Sequence, residues 1–343
     1  MEKTDILIVG AGPAGLKAAE ILASKNKQVL VLEKNRIIGD KVCAGVISRN
    51  CLRKELPISL VERRFNECLI HSPLQNTRLH LDEPILATVN RKRLGTWMAK
   101  QAVQNGTEIT RNTTVVEIKK DSVIDENGNE TKFKFLIGAD GSNSVVRKHL
   151  GIPTKRIAEA FHYLTPKKFD NVELFYDPQK FGPAYAWIFP HKEYTSIGTG
   201  GEIVPNGWFK KGIKELRCTF DLWCEDKFST KKATFQAAAI NYDYRGCVFM
   251  NKFLIGDAAG LASGASGEGI YFGILSGKDI ANRILDKNYK MVNIEHIIRI
   301  KKLEETYLKS LEISKGLTTL ELECFVLLLK FRWFGDVLSS NLD

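Results

Sequence analysis

The stretch DILIVGAGPAGLKAAEILASKNKQVLVLE, Asp5 to Glu33, constrains the fold of this chain more than any other segment. Residues 5–9 read as a buried strand, 13–25 as a helix and 28–33 as a second strand, which makes a βαβ opening. Gly10, Gly12 and Gly15 fall in the turn between strand and helix. The first permits the tight turn, the second lets backbone approach a pyrophosphate, and the third lets the helix pack on the strand. A helix start offers free N–H groups and a positive dipole end, which suits a diphosphate. Glu33, ending the second strand, is placed to accept from ribose hydroxyls, and its charge disfavours a 2′-phosphate.

This unit alone leaves NAD and FAD open. Two later segments bear on the choice. FLIGADGSNSVVRKHLG (Phe135–Gly151) sets Asp140 and Gly141 after a strand, with Arg147 in the following helix. FLIGDAAGLASGASGEGI (Phe253–Ile270) sets Gly256 and Asp257 after another strand, with a glycine-rich run before a helix. In each, a carboxylate beside glycine at a strand end can reach a polyol chain. Alone, either is an ordinary turn.

Between and beyond these segments, Asn90–Gly106 has apolar residues at 94, 97, 98 and 102, a helical spacing with Gly106 as its stop. Residues 114–141 read as strands around an ENGN turn. From about 155 to 250 the pattern is of short alternating strands, and from 268 onward helices dominate. The 343 residues are 44% hydrophobic, enough for a sizeable core. No window reaches the roughly 18 uninterrupted apolar residues of a spanning helix. The opening does not read as a secretory leader. Seven scattered cysteines without metal spacing fit a reducing cytosol, and no metal is expected. The net charge of +10 favours anionic partners, but no basic-aromatic nucleic-acid motif is present.

Taken in order, the three segments resemble the flavoprotein hydroxylase superfamily, whose fold is similar to that of para-hydroxybenzoate hydroxylase. The resemblance covers nearly the whole chain and implies FAD. It implies an α/β fold: a Rossmann-like FAD-binding domain, an inserted antiparallel β-sheet substrate domain and C-terminal helices. The expected boundaries are 1–60, 85–154 and 246–285 for the FAD-binding domain, 61–84 and 155–245 for the substrate domain, and 286–343 for the helical segment. Carried over, Asp257 contacts the ribityl chain, while Gly267, Glu268 and Gly269 offer N–H groups near the flavin pyrimidine edge. There the helix dipole favours an anionic reduced flavin. Arg91 resembles the arginine opening the superfamily's second helix; the other reading is a solvated surface arginine. Pro13, Ala14, Lys34, Val116, Asp140, Gly256 and Ile270 complete the cofactor set in this part of the chain.

GDKVCAGVIS, Gly39–Ser48, resembles the Lys-x-Cys-Gly/Ala-Gly run of the geranylgeranyl reductase family, at the point where the superfamily chain passes along the flavin. Cys43, Ala44 and Gly45 are therefore expected beside the cofactor. YAWIFPHKEYTSIGTG matches the family's aromatic-Trp-aromatic-Pro pattern through Tyr185, Trp187, Phe189 and Pro190, with Gly198 and Gly200 following. Aromatic side chains on a sheet would wall an apolar space for a prenyl chain; the alternative is that they face the core. Cys43, Tyr185 and Trp187 are the candidate catalytic residues, Cys43 shaping the site or relaying a proton, or else packing inertly. Gly264 and Ser266 stand where the family carries proline and threonine, which makes that loop more pliable.

Leu317–Ser340 has an apolar core interrupted by Lys330, Arg332 and Asp336. It reads either as a surface membrane helix, with Trp333 and Phe334 at headgroup level, or as a helix closing the substrate tunnel or packing on the core. The leading functional expectation is an FAD-dependent reductase of isoprenoid double bonds, acting on an apolar prenyl or lipid substrate. Its electrons would come from an external donor, ferredoxin-like or NAD(P)H-dependent. The expected location is the cytoplasm, with peripheral contact at the inner face of the cell membrane. The alternatives are a flavin-dependent monooxygenase of the same fold and a cluster-free electron carrier to quinone. Against a halogenase, Tyr185 and Phe189 replace two positions of the Trp-x-Trp-x-Ile-Pro run.

Overall fold

A computed structural model describes residues 2–203, 208, 209 and 211–330. The chain divides into two compact units, each built from three separate stretches. The first comprises 1–41, 91–156 and 240–302, and the second 42–90, 157–239 and 303–343.

The first unit is organised by a parallel ladder. Strands run in the order Lys252–Leu254, Glu130–Gly138, Glu2–Val9, Val29–Glu33 and Glu108–Arg111. Ile6, Leu7 and Ile8 are at most 1% exposed, which is why this stretch is apolar without alternation: successive side chains point to opposite faces of the strand and all are buried. Register puts Val9 opposite both Gly138 and Leu32, and Gly138 opposite Leu254. Hence the residues after 9, 33, 138 and 254 all emerge at one edge, the carboxyl end, where α/β sheets bind their ligands. The helix Pro13–Ala23 packs against Ile270–Leu285 through Gly273 and Gly277, whose missing side chains let the second helix close on Ala14. Strands Val115–Ile118, Ser122–Asp125 and the start of Glu130–Gly138 form an antiparallel extension.

The second unit carries a seven-stranded sheet in the order 234–241, 157–165, 195–202, 186–190, 172–175, 67–71, 76–80. From 157–165 to 76–80 its pairings are antiparallel apart from one parallel pair, Val172–Phe175 with Glu67–His71. A three-stranded sheet joins Val46–Ser48, Leu86–Val89 and Val61–Phe65. The helix Lys315–Leu328 is fastened to this unit at Glu323. That carboxylate accepts from Ser72 Oγ (2.8 Å), the Leu74 amide (3.1 Å) and Gln75 Nε2 (2.9 Å). Val326 and Leu329 enter its core. The described part of the C-terminal segment therefore packs on protein, while Arg332, Trp333, Phe334 and Asp336 lie outside the described residues. Among the described residues, no helix is long and apolar enough to cross a membrane.

Candidate functional site

The glycine turn divides its work among three positions. A Cβ at Gly10, where φ is +104°, would strike the Ala139 carbonyl, and one at Gly15 would strike the Gly10 carbonyl. Those two glycines are required by packing. At Gly12 a Cβ would meet nothing within 4 Å. Gly12 is the N-cap of Pro13–Ala23, extended in conformation, with no side-chain cap and no acidic residue in the first turn. The helix start is thus open on the side where an anion would sit. Glu33 is 8% exposed and ties the turn to the second strand: Oε2 accepts from the Ala11 amide at 2.7 Å and Oε1 from the Asn35 amide at 2.8 Å. Each oxygen keeps a further lone pair. Lys34 is exposed, and Val116 stands 60% exposed on its strand.

The other two segments arrive at the same sheet edge. Asp140 caps the short helix Val145–His149, Oδ2 accepting from the Val145 amide at 2.7 Å and the Val146 amide at 3.3 Å. Its Oδ1 is buried without a protein partner, and burial pushes the carboxyl above its ordinary range. Asp257 Oδ2 accepts from Lys41 Nζ at 3.0 Å and Ser142 Oγ at 3.4 Å. Gly256 and Gly269 both lie close by: Gly256 sits against Ala14, and a Cβ at Gly269 would come 3.1 Å from Asp257 Oδ1. Gly269 caps the helix that begins at Ile270, and Gly267 has φ of +74°. The Gly264–Ser266 loop is tied by the Ser263 hydroxyl, which accepts from the Ser266 amide at 2.9 Å. Arg147 is 1% exposed and clasps three carbonyls, those of Ala258 (3.2 Å), Pro153 (2.8 Å) and Asp243 (2.8 Å). Burial lowers its pKa. Arg91 is not a solvated surface residue in its polar atoms: Nε and Nη1 are buried with no partner in the protein.

In the second unit, Trp187 and Phe189 stack at 5.7 Å and pack with Cys68, Ile70, Val172 and Val326. Ala44, Tyr176, Tyr185 and Phe325 pack against the same cluster. Trp187 is held at its polar end, where Nε1 donates to Ser196 Oγ at 3.1 Å. His162 Nδ1 lies 2.7 Å from that hydroxyl and its Nε2 lies 3.1 Å from Gln236 Oε1. The pattern closes on a neutral ring: Nε2–H donates to Gln236, Nδ1 accepts from Ser196, and Ser196 accepts from Trp187. Burial lowers the His162 pKa to about 4. Gly198 pairs with Trp187 across the strands, and a Cβ there would overlap the indole. Cys43 is half-buried, its Sγ accepting from the Gly45 amide at 3.4 Å.

Residues 3–176 match the family described as FAD binding domain. Over 299 residues the chain is 29% identical to a geranylgeranyl diphosphate reductase of Rhodobacter capsulatus, covering 80% of this chain and 73% of the relative. Over 339 residues it is also 29% identical to a digeranylgeranylglycerophospholipid reductase of Methanosarcina acetivorans, covering 91% and 81%. This protein belongs to the FAD binding domain family, and along most of its length it is similar to geranylgeranyl reductases. Its fold matches a geranylgeranyl bacteriochlorophyll reductase-like structure from Thermoplasma acidophilum with a TM-score of 0.77. That match has 20% identity and covers 96% of this chain and 92% of the other.

As a flavoprotein, the enzyme has FAD as its cofactor, and the first unit fits that group on its own geometry. An uncapped helix start lies open at Gly12. Two buried guanidinium N–H groups on Arg91 and a buried carboxyl oxygen on Asp140 lack protein partners. Buried polar groups are nearly always paired, so such orphans mark where a bound polar molecule completes them. The sequence did not single out Tyr176, His162, Ser196, Glu62 or His191. Tyr176, His162 and Glu62 lie in no motif with a readable spacing; His191 and Ser196 fall inside YAWIFPHKEYTSIGTG but outside its aromatic-Trp-aromatic-Pro positions and its glycines.

Proposed function

We propose that this family member reduces carbon–carbon double bonds in isoprenoid chains, with FAD held by the first unit and the prenyl chain by the second. The observation that carries the reading is the apolar cluster in which Trp187, Tyr185 and Tyr176 pack with Ala44, the neighbour of Cys43. Reduced FAD, when bound, supplies a hydride; adding it and one proton across an alkene saturates one bond. The chain's own residues supply the rest. Gly12, Glu33, Arg91, Asp140 and Asp257 bind and orient the cofactor. Tyr176, Tyr185, Trp187 and Phe189 hold an apolar chain and exclude water, which would otherwise compete for electron-poor carbon. Cys43 is the proposed proton relay. The relatives' names add two substrate forms to this reading, a geranylgeranyl diphosphate and a digeranylgeranyl phospholipid. The phospholipid suits the apolar stripe of Leu320, Cys324, Leu327 and Leu328, exposed on one face of the helix Lys315–Leu328, as a peripheral contact with a bilayer. An external donor, ferredoxin-like or NAD(P)H-dependent, would restore the reduced flavin.

The test is anaerobic. The FAD-loaded protein is reduced with dithionite and mixed with geranylgeranyl diphosphate or a digeranylgeranyl phospholipid. Flavin reoxidation should accompany products heavier by two hydrogens per bond. Reoxidation only on admitting oxygen, with a hydroxylated product, would select the monooxygenase instead.

A further inference from the structure

Within the second unit, buried contacts join Glu62 and His191, which no role above uses, to Ala44 and Gly45. His191 has a side chain 0% exposed. Its Nδ1 is 2.6 Å from Glu62 Oε2, itself on a side chain 6% exposed, and its Nε2 is 2.9 Å from the Ala44 carbonyl. The ring stacks on Tyr194 at 4.3 Å. A carbonyl only accepts, so Nε2 must carry a hydrogen, and the Nδ1–Glu62 contact needs one more proton on ring or carboxyl. Either placement fixes the imidazole in one orientation.

Gly45 shows that the turn is shaped around this ring. Its φ is +73°, and a Cβ there would lie 2.7 Å from His191 Cε1 and 2.8 Å from the Val89 carbonyl. The Val89 amide donates to the Gly45 carbonyl at 2.8 Å, so residues 43–45 are held from both sides, by strand backbone and by His191. The Gly45 amide in turn donates to Cys43 Sγ at 3.4 Å. A buried carboxylate–imidazole pair is a poor way to add stability compared with apolar residues of the same size, whereas breaking one is costly. Its directed contact with Ala44 is what an apolar pair does not supply.

We propose that Glu62 and His191 are positioning residues that fix the Cys43 turn through the Ala44 carbonyl, an inference that rests on the assignment of Cys43 to the reaction site. The pair acts on the thiol through backbone and touches no reacting atom itself.

The readout is the alkylation rate of Cys43 in FAD-loaded protein, followed by peptide mass mapping with iodoacetamide. Cys218 and Cys324, both exposed, serve as internal references. Glu62→Ala is expected to change Cys43 alkylation by about fivefold or more while both references stay constant, since a released turn samples more open states. Glu62→Gln should restore it to within about twofold, because its amide donates to Nδ1 and leaves Nε2–H on Ala44. An unchanged rate in Glu62→Ala, an equal change at all three thiols, or a Glu62→Gln variant no better than Glu62→Ala would overturn the proposal. Should Glu62→Ala fail to fold, the paired variant Glu62→Leu/His191→Phe removes both partners and leaves no unpaired buried charge. It should fold and still alter Cys43 alkylation; a folded paired variant with the wild-type rate would overturn the proposal equally. Thiol reactivity is read without prenyl substrate, so a wild-type protein that saturates no prenyl bond fails the functional reading alone.

Discussion

Two side chains carry consequences of being buried in unusual company. His162 is neutral in the folded protein, with its pKa lowered to about 4 by burial from an ordinary 6.5. Between those values the unfolded chain takes up a proton that the folded chain refuses. Stability is therefore lost as pH falls from about 6.5 to about 4 and levels off below. Thermal unfolding followed by tryptophan fluorescence should show that loss, and His162→Gln should show a shallower fall over the same window. Equal slopes would mean that the ring is protonated in the folded state. Arg91 presents the opposite case, a cation with two buried donors awaiting an acceptor. Arg91→Met should weaken FAD retention by about tenfold or more, the loss of one charge-assisted contact, while leaving the cofactor-free protein no less stable. Isothermal titration with FAD and melting of both apo-proteins check the two halves separately.

At the scale of elements, the βαβ opening makes the sharpest distinction. A Cβ at Gly12 meets nothing within 4 Å, so Gly12→Ala should fold with an unchanged circular dichroism spectrum yet retain FAD at least about tenfold less tightly. Gly15→Val should instead disturb the strand–helix packing itself. This opening was legible in the sequence because all its signals are local: the strand is 2–9 for an expected 5–9, the helix 13–23 for 13–25, the second strand 29–33 for 28–33. The helix 91–104 and the ENGN turn, with Gly128 at φ of +81°, were readable for the same reason. What could not be read depends on chain separation. Glu62 and His191 are 129 residues apart and His162 and Gln236 are 74 apart. The parallel pairing of 172–175 with 67–71 follows from no local pattern either. The partners of the Glu323 carboxylate, Ser72, Leu74 and Gln75, lie about 250 residues away, so nothing local marks its role.

At the scale of the molecule, a net charge of +10 and the exposed leucines of 315–328 make a bilayer test worthwhile. Flotation with vesicles containing about a third phosphatidylglycerol should carry the protein upward at low salt, and Leu320→Glu/Leu327→Glu should leave it in the pellet fraction. Co-flotation unaltered by those substitutions would place the contact elsewhere. The order of the parallel ladder has a different kind of consequence. Glu2–Val9 is made well before its neighbour 130–138, and that neighbour's own partner ends only at residue 254. A nascent chain thus trails an apolar strand with one open flank through much of translation. Newborn copies of this protein should be strong clients for chaperones, and the yield of active enzyme should respond to the pace of synthesis.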